Sequence, residues 1–166
     1  KVPDKDNRPE ERGSGAGDFD FLHGAWRVHH RQRRERLAGC DEWIEFSGTM
    51  EADPILRGLG NFDRNVIDLP SGRYEASTLR LFHSDTGLWS LHWIDGRAPK
   101  IDPPLYGAFK DGVGTFFGED SFRGRSIQLR FLWERPTPTI ARWKQAFSAD
   151  GGATWETNWI MEFSRA

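Results

Sequence analysis

The sequence has 166 residues, of which 37% are hydrophobic and 29% are charged. This length and composition are typical of one globular domain and exclude disorder of the whole chain. The net charge of −2 argues against a dedicated nucleic-acid binder, and a single cysteine, Cys40, excludes an intrachain disulfide and a C-x-x-C metal or redox site.

The N-terminal region is polar and ends in a glycine-rich stretch. We therefore predict a disordered tail over residues 1–17, followed by one domain over residues 18–166. The tail lacks the apolar segment of a signal peptide, although a cleaved one could be missing from this chain. No apolar run approaches the length needed to cross a bilayer. We expect a cytoplasmic protein with neither a membrane nor a nucleic acid as its partner.

From Asp18 onward, short segments of alternating polar and apolar residues are separated by turn signals such as Ser84-Asp85-Thr86-Gly87. A short helical turn is expected over residues 19–23. The pattern predicts about ten strands, over residues 25–34, 42–51, 61–68, 73–83, 88–95, 104–110, 114–120, 126–134, 139–148 and 154–165. Many short strands at regular spacing indicate an all-β domain, either a sandwich or a closed antiparallel barrel.

Two stretches interrupt this rhythm. Residues 54–60 are apolar and rich in glycine, and we expect them to form a loop that packs against one end of the barrel. Residues 95–104 hold three prolines and form the longest connection. Long ordered loops often border binding sites, so this loop is a candidate lid, with a plain connection as the alternative.

Gly24-Ala25-Trp26 opens the first strand, and Arg165 lies near the end of the last. This G-x-W pattern resembles the signature of lipocalins and other calycin barrels, in which the tryptophan closes the barrel floor and a basic residue packs across it. Through residues 18–26, 58–61 and 148–159, the chain also resembles a family of bacterial lipocalin-like domains of uncharacterised function. The resemblance implies a single antiparallel calycin-like barrel and leaves the function open.

Residues 148–155 also match the Ser-x-Asp-x-Gly-x-Thr-Trp hairpin of sialidases. Sialidases carry several copies on a propeller, whereas this chain has one copy. We interpret the segment as a structural hairpin, stabilised by its aspartate and glycines. The sequence contains neither a G-x-S-x-G nucleophile motif nor a phosphate-binding G-x-x-x-x-G-K-[ST] motif.

Strand parity identifies the side chains that would line the interior, because residues two apart share a face. Trp26 and His30 share one face of the first strand, Trp143 and Gln145 share one face of the ninth, and Trp159 lies on the face of Arg165. An inward Arg80 would be a buried cation that needs an anionic ligand or an acidic partner. The predicted ligand-binding set is Trp26, His30, Arg80, Trp93, Trp143, Gln145 and Trp159.

An apolar cavity with a few polar groups is the general form of a small-molecule site. The predicted function is therefore binding of a small hydrophobic or aromatic molecule inside the barrel. One alternative is a cofactor-free isomerase, cyclase or hydrolase with His30 as the catalytic acid or base. Another is a haem-binding barrel. The alternative for His30 is a structural role, as a core histidine that is hydrogen-bonded to Gln145 or to a backbone carbonyl. The histidine spacing matches no metal site, so no metal is expected.

Two surface features bear on partners. The arginines of residues 27–36 form either a phosphate-binding stripe or a solvated face balanced by Glu42, Glu45 and Glu51.

Strands 73–83 and 88–95 carry apolar side chains on both faces, which predicts an outward apolar patch that a second subunit or the 95–104 loop would cover. We expect a homodimer through this patch. The outward set is either Leu79, Leu81, Leu88 and Ile94 or Phe82, Trp89, Leu91 and Trp93.

Overall fold

The protein is described here by a computed structural model that covers residues 15–166. Residues 1–14, where most of the predicted tail falls, lie outside the described part. The chain forms ten antiparallel strands, each paired with the next, and β1 also pairs with β10 to close the barrel. The strands are β1 (Gly24–Arg33), β2 (Trp43–Ile55), β3 (Gly60–Leu69), β4 (Gly72–His83), β5 (Leu88–Asp95), β6 (Leu105–Lys110), β7 (Val113–Phe122), β8 (Arg125–Thr137), β9 (Ile140–Ser148) and β10 (Glu156–Arg165). The predicted all-β barrel is confirmed.

The alternation of side chains decides which residues form the core. On β4, Tyr74, Thr78 and Phe82 are buried, while Leu79 and Leu81 lie on the other face and are only half-buried. Tight hairpins join the strands. Asp111 and Gly112, for example, both have positive φ between β6 and β7, which is the two-residue geometry that matches the twist of a hairpin.

One end of the barrel is closed by the G-x-W tryptophan. Trp26 is buried, and its indole N–H donates to the Leu22 carbonyl oxygen at 2.8 Å. The guanidinium of Arg165 lies 3.8 Å from the centre of the Trp26 ring and donates to the carbonyl oxygens of Phe21 and His23. Phe21 belongs to a 3-10 turn at Asp20–Leu22 and His23 follows that turn, within the region where a helical turn is expected. The expected floor of a lipocalin-like barrel is therefore present.

The packed region begins before the predicted boundary at residue 18. Ala16 is buried, and the Gly15 carbonyl oxygen accepts a hydrogen bond from the Trp89 indole at 3.2 Å. Phe19 then inserts into the closed end, with ring centres 4.9 Å from Trp89 and 4.8 Å from Phe109. From sequence alone, a glycine-rich stretch indicates flexibility. In the structure, however, the backbone carbonyl of this stretch accepts the hydrogen bond of the Trp89 indole.

Residues 54–60 differ in part from the expected loop. β2 continues through Pro54 to Ile55, and a 3-10 turn follows at Leu56–Gly58. Leu59 packs against the core, whereas Leu56 is exposed. Register explains the longer strand, because β2 pairs with β3 as far as Ile55 opposite Gly60.

The arginine-rich face of β1 is balanced by acidic residues. Arg31 pairs with Glu45 at 3.7 Å, and Arg34 pairs with Glu42 at 3.1 Å. Glu51 pairs instead with Arg64 on β3. Arg31 and Arg34 are thus engaged in exposed ion pairs, which supports a solvated face over a phosphate stripe.

The sialidase-like segment forms the hairpin between β9 and β10. The Asp150 carboxylate accepts hydrogen bonds from the Thr154 side chain, the Thr154 backbone and the Ser148 hydroxyl. In that order these bonds lower the pKa of Asp150 to about 2. All of these hydrogen bonds lie within the hairpin, which agrees with a structural role for Asp150.

Candidate functional site

A cavity of about 200 Å³ opens at the end of the barrel opposite Trp26. Its inner wall comes from β5, β6 and β8–β10, whose inward faces are aromatic and aliphatic at this level. The apolar lining residues are Trp93, Leu105, Ile127, Leu129, Phe131, Trp143, Phe147 and Trp159. Phe122 and Pro103 continue this surface at the mouth.

Three tryptophans form the aromatic centre of the cavity wall. The ring of Trp159 meets Trp143 edge-to-face at 5.2 Å between centres and Trp93 edge-to-face at 6.0 Å. Phe131 meets Trp143 in the same way at 4.9 Å. These contacts hold the rings at fixed angles, so the cavity offers both ring faces and ring edges to an aromatic guest.

Two uncharged polar side chains line the cavity, Ser121 at the mouth and Gln145 within the apolar wall. The Gln145 amide nitrogen donates to the Asn158 side-chain oxygen at 2.9 Å. That bond fixes the amide and leaves the Gln145 oxygen as an acceptor for a donor group within the cavity. Such an isolated polar group can orient a ligand that is held mainly by apolar contact.

His30 lies behind the cavity wall. Its Nδ1 accepts a hydrogen bond from the Trp159 indole at 3.1 Å, and its ring stacks on Phe46 with centres 4.7 Å apart. Burial, together with the charge of His29, lowers the pKa of His30 to about 4. His30 is therefore a neutral hydrogen-bond acceptor that positions Trp159.

Arg80 points into the barrel, as the sequence indicated, but nearer the closed end. It donates to Asp63 at 2.7 Å and to Asn61 at 2.8 Å, and its guanidinium lies 5.3 Å from the centre of the Phe19 ring and 5.4 Å from that of Trp133. A void of about 20 Å³ adjoins this group, which is enough for roughly one water. The acidic partner is thus supplied by the protein.

The predicted site residues fall into two groups. Trp93, Trp143, Gln145 and Trp159 line the cavity together. Trp26, His30 and Arg80 do not line it: Trp26 forms the floor, His30 supports Trp159, and Arg80 occupies the buried layer between. The alternation of side chains along a strand correctly predicts that these three residues point into the barrel. It does not indicate how far along the barrel axis each side chain lies.

The mouth carries five ionisable side chains, Arg36, Asp95, Arg97, Asp102 and Asp120. Arg97 pairs with Asp95 at 2.8 Å and stacks 3.7 Å from the centre of the Tyr74 ring. Burial raises the pKa of Asp95, but the hydrogen bonds from Arg97 outweigh it and hold that pKa below its ordinary value. For Asp102, burial and the charge of Asp120 raise the pKa.

The 95–104 connection borders this mouth. It is held in place by hydrogen bonds from the Asp102 amide to the Trp93 carbonyl and from the Gly96 amide to the Glu75 carbonyl, each at 2.9 Å. Gly96 is required there, because a Cβ would lie 2.5 Å from the Glu75 oxygen. The loop therefore forms a fixed part of the rim in this structure, and its action as a lid stays a prediction.

The lining does not fit a haem. A haem iron takes an axial His, Met, Cys or Tyr, and none of the residues that line the cavity is of these types. Within residues 15–166, no group of three or more His, Cys, Asp or Glu side chains is arranged to hold a metal ion.

Sequence reasoning missed the residues from β8 and from the loops. Ile127, Leu129 and Phe131 alternate along one strand, so parity could have assigned them. Arg36 and Arg97 lie in connections between strands. These connections come to the mouth only because the barrel closes, and the local sequence does not indicate that position.

The fold and the cavity together define a lipocalin-like, calycin-type barrel. No protein-family model and no curated protein matches the sequence. Among solved structures, the S-type phycobiliprotein lyase CPES from Guillardia theta matches with a TM-score of 0.60, over 89% of this chain and 90% of that chain. The sequence identity is 11%, so the likeness shows the fold alone. In the described part, no helix is long and apolar enough to cross a membrane.

Proposed function

We propose that the protein binds a small aromatic or hydrophobic molecule in the cavity at the open end of the barrel. The observation that carries this proposal is the cavity of about 200 Å³, walled by Trp93, Trp143 and Trp159 and bordered by charged groups. The volume suits a guest of one or two rings. The structural match to a phycobiliprotein lyase supports the barrel architecture, which in lipocalins holds one small ligand.

The alternative of a cofactor-free enzyme receives less support. His30 was its candidate acid or base, but His30 is buried and its Nδ1 is engaged by Trp159. A general acid or base must come within hydrogen-bond reach of the substrate. The bacterial family and the cytoplasmic location expected from the sequence stay predictions.

Indole, a neutral aromatic probe, should bind the wild-type protein with one site in isothermal titration calorimetry. Leu129→Trp fills the cavity and should abolish this binding. Leu88→Trp is the matched control, because Leu88 is exposed on the outer face of β5, and it should leave binding unchanged. Equal binding by all three proteins would place indole outside the cavity and contradict the proposed function.

The homodimer is also a proposal. The structure turns Leu79, Leu81, Leu88 and Ile94 outward on β4 and β5, while Phe82, Trp89 and Leu91 are buried inside. A second copy could cover this outward set. Light scattering after size-exclusion chromatography should give twice 19.1 kDa for the wild type and the monomer mass for Leu81→Arg. A wild-type mass of one chain would refute the dimer.

A further inference from the structure

One cation at the mouth of the cavity has no acidic partner among the described residues. Arg36 lies in the β1–β2 connection, is half-buried, and lines the cavity beside Phe122, with its guanidinium 5.5 Å from the centre of that ring. Within residues 15–166, no carboxylate lies within ion-pair distance of it. Glu156 is the nearby acid, but its carboxylate accepts a hydrogen bond from the Leu37 amide.

The surroundings of Arg36 penalise its charge. Burial is the largest cause that lowers its pKa, and the positive charge of Arg97 adds to it. Two other shielded arginines are compensated by carboxylates, since Arg80 pairs with Asp63 and Arg33 pairs with Asp41. The half-buried Arg130 has no carboxylate partner among the described residues and lies instead over the Trp155 ring, outside the cavity. A half-buried guanidinium without a carboxylate is unfavourable unless another anion joins it.

The other charged side chains at the mouth limit where an anionic group of a ligand can bind. Arg97 is neutralised by Asp95. Asp102 and Asp120 also line the mouth and form no ion pair with another described residue. Among the described residues, the mouth therefore carries an unpaired positive charge at Arg36 and unpaired negative charges at Asp102 and Asp120. An anionic group is favoured beside Arg36 and disfavoured beside the two aspartates.

We propose that the natural ligand carries an anionic group, such as a carboxylate, on an apolar or aromatic body, and that Arg36 binds this group at the mouth. This inference rests on the proposed function, since the ring system would occupy the tryptophan-lined cavity. A guanidinium holds a carboxylate through two parallel N–H···O bonds, which gives direction as well as charge. The ligand would enter ring first, with its anionic end retained at the rim.

The test compares three probes that share one ring system: indole, indole-3-acetate and tryptamine, which are neutral, anionic and cationic at pH 7. Dissociation constants are measured by calorimetry at low salt for wild type, Arg36→Gln and Arg34→Gln. Arg34 is the control, because it lies in the same connection, is exposed and pairs with Glu42. We expect indole-3-acetate to bind about tenfold more tightly than indole.

In Arg36→Gln that preference should disappear while indole affinity is retained, and Arg34→Gln should behave as wild type. Indole binding with no preference for the anion, or a preference for tryptamine, would overturn this inference and leave the proposed function intact. No binding of any probe would overturn both. The ranking of the three probes on the wild-type protein tests the inference even if Arg36→Gln fails to fold.

Discussion

Replacing Asp63 with asparagine should lower the free energy of unfolding by about 3–5 kcal/mol, because it leaves a buried cation unpaired. Asp63 and Arg80 are both buried, and their charged groups meet at 2.7 Å. The second carboxylate oxygen of Asp63 accepts hydrogen bonds from the Thr78 amide and from Asn65. An asparagine could keep these two bonds, but its amide nitrogen would then face the Arg80 guanidinium, donor against donor.

Urea unfolding of Asp63→Asn and of Asp68→Asn measures this effect. Asp68 pairs with Arg73 in an exposed ion pair, and its loss should change stability by less than about 1 kcal/mol. The double variant Asp63→Asn, Arg80→Met should regain part of the lost stability, since it removes the orphaned charge. Similar small losses for both single variants would show that the Asp63–Arg80 pair does not stabilise the barrel.

Acid should destabilise the protein through His30. The pKa of His30 is lowered to about 4 from 6.5, mainly because burial disfavours the imidazolium and also because His29 is near. Between these two values the unfolded chain binds a proton that the native state does not. The stabilisation is complete above about pH 6.5 and is lost as the pH falls towards 4, by about 3 kcal/mol in all.

The free energy of unfolding between pH 7 and pH 4 should therefore fall less in His30→Gln than in the wild type. A glutamine oxygen can still accept the hydrogen bond from Trp159, so the site stays filled. His29→Gln is the control on the same strand, with an exposed side chain that contacts Glu45, and it should keep most of the wild-type pH dependence. An identical pH profile for wild type and His30→Gln would contradict the assignment of His30 as a buried neutral acceptor.

The fold follows closely from local sequence signals. Alternation on strands such as β4 and β9 depends on the two-residue period of a strand, and turn pairs such as Asp111-Gly112 depend on positive φ. Both are local properties, so strand positions and inward faces can be derived before the structure is known. Trp26 and Arg165 close the floor of the barrel because antiparallel pairing of β1 with β10 sets them opposite each other.

The site is less predictable, because it depends on height along the barrel and on loop placement. His30 and Trp159 both point inward, yet only Trp159 reaches the cavity. The strand stagger that separates them arises from closure of the whole sheet. Arg36 illustrates the same limit. It ends an arginine-rich stretch that begins on β1, and only the path of the β1–β2 connection brings its side chain to the mouth.

A crystal structure with 5-bromoindole tests the central claim most directly. Bromine gives an anomalous signal that locates the ring without reliance on weak density. We expect one bromine peak within the cavity, in contact with Trp93, Trp143 or Trp159, and no such peak in crystals of Leu129→Trp. Bromine peaks confined to the outer surface, with the cavity empty at saturating probe, would contradict the assignment of this barrel as a small-molecule binder.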